Sequence, residues 1–423
     1  MEPDARLVDS EDGAWPTTSL DRQQRLSRNV FTACGFVDEE IADTTPGVVS
    51  STFVHGGRIF APRTNESATR QPARLRATLR QGDLAVVLVR RVGDSALVTP
   101  AHAGWPASRS IGIIRTEAHI LEWLHIWLQT STARARIEED VTAHVEPTTS
   151  LEALRRMPFP LPPLDVISRY HRVFRLIEET ASLYERTART AVELVDALHE
   201  DEVVANPGWD SQPLAKVAHL KTGKGSERSL TLVPAETGVG AIAPRDLYQL
   251  SVPYVQRFRL HTSAGPGEVF PTGTFLLGTR AEGTHIAVAN QPVRALRSVV
   301  ALGPREEDDA WWLLHELRAR SQEIVERAQG EKRREISALA LKRLNITWPD
   351  RFSRAFFHRA AEPLHATAQL LVSKVATLHA LRDALLRDIA AKAGILREPK
   401  ADEEEAPIAV PGPRGGGTRY AQG

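Results

Sequence analysis

The sequence predicts an α+β protein: two α/β domains separated by two long helices that pair as an antiparallel coiled coil. One stretch of the chain recurs 187 positions later with no gap needed. Each copy carries a long helical run with an apolar stripe at four-three spacing. Each run is preceded by short β-rich segments broken by Gly and Pro.

The recurrence comes first because it sets the plan of the chain. Ser150, Leu154, Arg156, Pro162, His171, Arg172, Thr180, Ala181, Leu183, Thr190, Leu194, Asp196, Ala197 and Leu198 return as Ser337, Leu341, Arg343, Pro349, His358, Arg359, Thr367, Ala368, Leu370, Thr377, Leu381, Asp383, Ala384 and Leu385. A period this long is not that of a solenoid repeat. It describes two large units, each a variable globular part followed by a helix.

From Leu164 to His199 there is no Pro or Gly, and good helix formers dominate. Tyr170, Phe174, Ile177, Ala181, Tyr184, Ala188, Ala191, Val195 and Leu198 form the stripe. Pro162 and Pro163 stand where a missing N–H costs nothing, Asp165 falls in the first turn, and Asn206-Pro207-Gly208 ends the run. In the second copy the stripe reads Phe357, Ala361, Leu364, Ala368, Leu371, Val375, Leu378, Arg382 and Leu385, with Pro363 placed to kink its first turns. Each helix should run about 35 residues, about 50 Å at 1.5 Å per residue. An exposed stripe is unstable, so the two should bury each other, and that fit explains a register kept between the copies. His171 and His358 fall beside the seam and read as packed helix histidines.

The order of elements also repeats in the globular parts. Gly82-Asp83 feeds the apolar run Leu84–Val89, which opens into Arg90-Arg91-Val92-Gly93-Asp94; Gly273-Thr274 feeds Phe275-Leu276-Leu277, which opens into Gly278-Thr279-Arg280-Ala281-Glu282-Gly283. Apolar strands follow at Ser110 to Arg115 and Arg297 to Leu302. Amphipathic helices come next, Ala118 to Arg136 with Trp123 and Trp127, and Asp308 to Gln329 with Trp311 and Trp312. The boundaries are then 1–160 for the first domain, with 1–22 poorly ordered, 161–205 for the central helix, 206–348 for the second domain, 349–396 for the distal helix and 397–423 for a disordered tail. Arg63, Arg70, Arg74, Arg76 and Arg80 mark a solvated or phosphate-contacting loop.

Composition narrows the function. Apolar content of 42% and charged content of 25% are ordinary for a globular chain. The single Cys34 excludes an intramolecular disulfide and fits a reducing cytoplasm. No basic-then-apolar leader or long uncharged apolar run is present, so no membrane association is expected. Basic and acidic residues balance at 53 each, and only eight of the basic ones are Lys. Arg suits bidentate phosphate and guanine contacts, although GC-rich coding raises Arg as well. Lys221-Thr222-Gly223-Lys224-Gly225-Ser226 lacks the spacing of a nucleotide-binding loop; a basic ribbon touching a DNA backbone suits it better. His315-Glu316 lacks the spacing of a zinc helix. No catalytic constellation and no metal site emerge.

Two variable domains, each followed by a long helix, resemble the specificity subunit of type I restriction–modification systems. The resemblance spans nearly the whole chain. Locally it rests on Leu154 to Asp165, on Leu381 to Ala390, and on Trp209 to Ala218 with the loop Leu220 to Gly225 behind it. Asp165-Val166-Ile167-Ser168 departs from the Gln that commonly follows Pro-Pro-Leu in the family, and only Trp15-Pro16-Thr17-Thr18-Ser19-Leu20 offers a counterpart to the Trp209 opening. The resemblance implies two target-recognition domains that read the halves of a bipartite double-stranded DNA sequence. It also implies two DNA methyltransferase subunits docked on the helices and motor-nuclease restriction subunits joining them, in phage defence. S-adenosylmethionine, ATP and Mg are expected only in those partners. Arg90, Arg91, Arg109, Lys221, Lys224, Arg228 and Arg280 are the expected DNA contacts, being basic residues in polar loops beside strands. Tyr170, Phe174, Ile177, Tyr184, Val195 and Leu198 are expected to meet Phe357, Leu364, Leu371, Val375, Leu378 and Leu385 across the seam. A protein-interaction scaffold with degenerate DNA-reading domains is the other open reading.

Overall fold

A computed structural model describes residues 15–21, 30–32, 48–60, 78–143, 146–248, 250–280, 285–330 and 334–393. Arg63, Arg70, Arg74, Arg76, Cys34, Ala281 to Gly283 and the tail 397–423 lie outside the described residues. The chain divides into two compact units, residues 1–171 with 385–423, and residues 172–384.

In the first unit a sheet is ordered Val30–Thr32, Ile111–Ile114, Leu84–Val87, Ser95–Leu97, all antiparallel. Leu84–Val87 and Ile111–Ile114 are buried along their whole length, as continuous apolar runs require. Asp83 is buried under the sheet end, and Arg115 answers it with bonds of 2.7 and 2.6 Å. The second unit repeats this order with Ala218–Thr222, Val299–Pro304, Phe275–Gly278 and Ile286–Ala289, and adds Tyr254–Val255 at the edge. It also carries a second five-stranded sheet, ordered Thr231–Leu232, Leu260–Ala264, Val239–Ile242, Val293–Ala295, Val269–Phe270. Ile242, Leu276, Val293 and Val299 pack together between the two sheets of this unit.

The two expected amphipathic helices are each broken. The first is Ala118–Trp127 and then Ser131–Glu139, because Thr130 donates its hydroxyl to the Trp127 carbonyl and accepts from Ala133 N, capping a new helix. The second is a 3₁₀ turn, Glu307–Asp309, then Ala310–Ala319 and Ser321–Glu326, with Arg320 between the helices.

Of the opening stretch 1–22, residues 15–21 are described and are built into the first unit, while 1–14 and 22 lie outside the described residues. Thr17–Ser19 pairs with Pro158–Pro160, as Ser211–Pro213 pairs with Asn345–Thr347 in the second unit. Trp15 meets Trp123 edge-on at 5.5 Å, and Trp209 meets Trp312 the same way at 5.3 Å. Trp123 Nε1 donates to the Pro160 carbonyl, and Trp312 Nε1 to that of Thr347. Leu161 N donates to Pro16 O and Trp348 N to Asp210 O. Trp15 is therefore the counterpart of Trp209, and both units open with one clasp. The recurrent Ser150 and Ser337 cap the short helices Leu151–Arg156 and Ala338–Lys342, accepting from Ala153 N and Ala340 N.

The long helices are Leu164–Ala205 and Arg351–Lys392, 42 residues each, longer than the stripe alone predicts. The distal helix continues through Pro363, whose carbonyl accepts from the Thr367 hydroxyl. In the second unit Glu178 pairs with Arg382 at 3.8 Å, Lys374 lies over Tyr184, and His199 lies against Phe357. Numbers rise on one helix as they fall on the other, so the pair is antiparallel. The one polar interruption of the stripe, Arg382, is answered by Glu178. In the first unit Tyr170 donates to Asp388 at 2.9 Å and accepts from Lys392 at 3.3 Å, in the same sense.

Tyr170, Phe174, Ile177, Val195, Phe357 and Val375 are buried; Tyr184, Leu198, Leu364, Leu371, Leu378 and Leu385 are half-buried. The stripe does not face the other helix alone. Ala188, Val192 and Val195 share one apolar core with Leu214, Trp312, Leu313 and Ile346 of the globular part, together with Phe357, Ala361 and Ala368.

Candidate functional site

Strand register, rather than sequence order, gathers the basic residues. In the second unit Thr222 stands opposite Val300, and Gly278 opposite Val299. The segment after Thr222 and the residue Arg280 therefore lie at one end of one sheet. Gly223 N donates to Val299 O, Lys224 N to Ala295 O, and Arg297 N to Gly225 O, which pins the ribbon along its length. A Cβ on Gly223 would sit 2.3 Å from the Leu296 carbonyl oxygen, so the approach requires glycine. Gly225 adopts a φ of 75°, and the turn Glu227–Ser229 is closed by reciprocal bonds between Ser226 and Ser229.

The cations on this ribbon differ in what holds them. Lys221 donates to Glu268 at 2.8 and 3.0 Å. Glu227 accepts from both Arg245 and Arg259. Lys224, Arg228 and Arg297 are exposed and have no ion pair among the described residues. Arg297, at the start of the strand predicted from Arg297 to Leu302, is tied to the ribbon through its N–H to Gly225 O. Arg280 is half-buried where its strand meets Glu335. Thr279 and Ser298 donate to the Glu335 carboxylate.

The first unit follows the same plan with more of its cations engaged. Val87 stands opposite Ile111 and Leu88 N donates to Ser110 O, so Arg109 lies at the end of the sheet that carries Arg90 and Arg91. Arg90 adopts a φ of 72° and pairs with Glu146 at 2.9 Å, both side chains exposed. Arg91 donates to the carbonyls of Ser51 and Thr52 and lies 3.6 Å from Asp94, which makes it a fastener of the 51–54 turn. Arg109 is exposed.

A buried polar chain in the second unit was not legible in the sequence. His315 Nδ1 lies 2.7 Å from Asp196 Oδ1, His315 Nε2 lies 2.8 Å from His365 Nε2, and His365 Nδ1 lies 2.5 Å from the Tyr254 hydroxyl. One assignment satisfies every atom: Tyr254 donates to His365, His365 to His315, and His315 to the carboxylate, with both rings neutral. Burial pushes His365 down to about 2 and lowers His315. Burial alone would raise Asp196, but Arg318 and His315 bond to it and hold it below the usual carboxylate range. Beside it, burial likewise opposes the charge on Glu316, yet His199, Arg320 and the Thr347 N–H hold its carboxyl low. The chain ties both long helices to one strand and one helix of the second domain. A cavity of about 550 Å³ borders it, and the Arg318 and Arg320 beside that cavity are already bonded to Asp196 and Glu316. His171 and His358 are half-buried, His171 3.0 Å from Glu122. Among the described residues no cluster of His, Cys, Asp or Glu could hold a metal ion, and no helix is long and apolar enough to cross a membrane.

The helices carry the second candidate site, on their outer faces. Arg172, Leu183, Thr190, Leu194 and Ala197 lie on one stripe, because steps of eleven, seven, four and three residues return to one face of a helix. All five are exposed, and so are their repeats Arg359, Leu370, Thr377, Leu381 and Ala384. Leu183 and Leu370 are 51% and 55% exposed, Leu194 and Leu381 49% and 48%. The inner seam has meanwhile changed: Tyr170 against Phe357, Phe174 against Ala361, Tyr184 against Leu371, Val195 against Arg382. Mutual fit of the seam therefore does not explain the five shared identities that are exposed in both copies.

No family model matches the sequence and no curated protein matches it. Solved structures similar to this chain include the S subunit of a type I restriction–modification system from M. genitalium, at 13% identity over 92% of this chain and 99% of that one, with a TM-score of 0.49. The HsdS subunit from Thermoanaerobacter tengcongensis is similar at 19% identity over 90% of this chain and 94% of that one, TM-score 0.32. A chain from a study of complex assembly and conformational transition in a type I system is similar at 19% identity over 90% and 99%, TM-score 0.37.

Proposed function

We propose that this chain is a DNA-recognition subunit without catalysis of its own. Each sheet domain reads one half of a bipartite target, and the helices hold the halves apart and carry two DNA methyltransferase subunits. Motor-nuclease subunits join the same assembly.

The outer helix stripe carries this reading. An exposed leucine contributes little to folding, and a single one needs no explanation. Two leucines kept in register on both copies, with Arg, Thr and Ala neighbours kept beside them, are under a constraint from outside the chain. The same surface presented twice fits two copies of one partner, docked as a groove takes an amphipathic helix. The globular domains keep strand order and place arginines at the same end of the sheet while their loops differ, as two readers of different half-sites would.

The test is binding of random-sequence duplex by the chain with its methyltransferase, followed across salt. Affinity should fall steeply with salt, by about 0.9 log units per tenfold for each phosphate neutralised. No binding at any salt removes the DNA-reading half of the proposal and leaves a protein scaffold.

A further inference from the structure

Arg294 is a buried cation of the second unit that no carboxylate accompanies among the described residues. It is 8% exposed on the strand Val293–Ala295, and its Nη1 donates to the carbonyls of Gly265 and Gly267. Its Nε has no hydrogen-bond partner among the described residues, and no ion pair of Arg294 is seen among them. A buried charge normally keeps an opposite charge beside it, because removing it from water is costly. Among the described residues the compensation comes from the two peptide carbonyls, and the charge is left for whatever binds nearby.

What lies nearby is the ribbon. A Cβ on Gly267 would lie 3.4 Å from that of Lys224, and one on Gly225 would strike Pro266 at 2.2 Å. The turn Gly265–Gly267 is thus held between Arg294 on one side and the ribbon on the other. Lys224, Arg228 and Arg297 stand exposed there without acidic partners among the described residues, while Glu227 and Glu268 are occupied by other cations. In a chain of zero net charge, three exposed cations with no ion pair among the described residues stand together at one end of this sheet.

We infer that the ribbon Gly223–Arg228 and Arg297 form a sequence-blind anchor for backbone phosphates of one DNA strand, kept electropositive from beneath by Arg294. The inference rests on the DNA-reading proposal and adds which element supplies affinity without specificity. The backbone bonds that fix the ribbon suit a phosphate anchor: they hold its charge at a set place along the strand. Arg294 is a positioning residue, acting through its field and through the turn it holds.

The test uses the full chain with its methyltransferase and two duplexes, one selected from a random pool as the target and one unrelated. Lys224→Gln and Arg297→Gln change exposed side chains and leave packing alone. Each should weaken both duplexes by the same factor and shallow the salt slope by about 0.9, leaving the target-to-random ratio unchanged. Arg294→Met should do the same and Arg294→Lys should recover most of the slope. A fall in the ratio with random binding intact would make these residues base readers and overturn the inference. So would affinities and slopes equal to wild type. If Arg294→Met lowers stability while the slope stays, Arg294 is a clamp only. Wild type that binds neither duplex at any salt defeats the DNA-reading proposal itself, a result distinct from the others.

Discussion

Lowering the pH should loosen the second unit through His365. Its ring is neutral in the folded chain, pushed down to about 2 by burial, with His315 and Arg318 adding repulsion. In the unfolded chain the ring titrates near 6.5. Below that pH the unfolded state binds the extra proton, so the stability is present above 6.5 and is lost as pH falls toward the folded value. Between pH 7.5 and 5 this one group removes about 2 kcal/mol. Buried His315, also lowered, acts in the same direction. Hydrogen-exchange protection of the helix Ala310–Ala319, corrected for intrinsic rate, should drop about thirtyfold over that interval for a 2 kcal/mol loss. His365→Phe leaves the Tyr254 hydroxyl and His315 Nε2 without their partner, at a cost of about 1–3 kcal/mol each that is present throughout the interval. The acid-dependent part should shrink by about 2 kcal/mol in the variant. An equal loss of protection in both proteins over this range would refute the reasoning, because His365 would then not be the titrating group.

The clasp gives a second prediction. Trp15→Ala should destabilise the first unit by about 3–5 kcal/mol, as a buried Trp truncation does, and the half-buried Trp209→Ala should cost the second unit less. Denaturant unfolding checks both, and an unperturbed Trp15→Ala would remove Trp15 from the clasp. The helices give a third. Deleting one heptad from matched positions of both should shorten the spacer between the half-sites, as read by mapping methylated sites, whereas deletion from one helix should abolish specific methylation. Unchanged spacing after the matched deletion contradicts a ruler.

The long helices and buried strands were legible because each is fixed by local period: the four-three stripe from Tyr170 to Leu198, and the apolar runs at Leu84 and Phe275. The recurrence was legible too, but its cause was not. Sequence alone assigned the shared register to the seam, whereas burial shows Leu183, Leu194 and their repeats facing solvent. What escaped depends on partners far apart in the chain. Asp196 and His315 are 119 residues apart and His315 and His365 are 50 apart, so neither pairing leaves a local trace. Arg91 looked like a free loop arginine until the fold placed the Ser51 and Thr52 carbonyls against it. Arg297 was hidden by the strand predicted to begin there. The second sheet of the second unit escaped because its strands are two to five residues long and the segments between them carry Gly and Pro.

The central claim is that the duplication built two equivalent docking strips, and native mass spectrometry of the chain with its methyltransferase tests it most directly. Wild type should carry two methyltransferase copies, Leu183→Asp with Leu194→Asp one, Leu370→Asp with Leu381→Asp one, and all four together none, each variant remaining folded. A single copy on wild type, or two copies retained by the fourfold variant, would contradict the account.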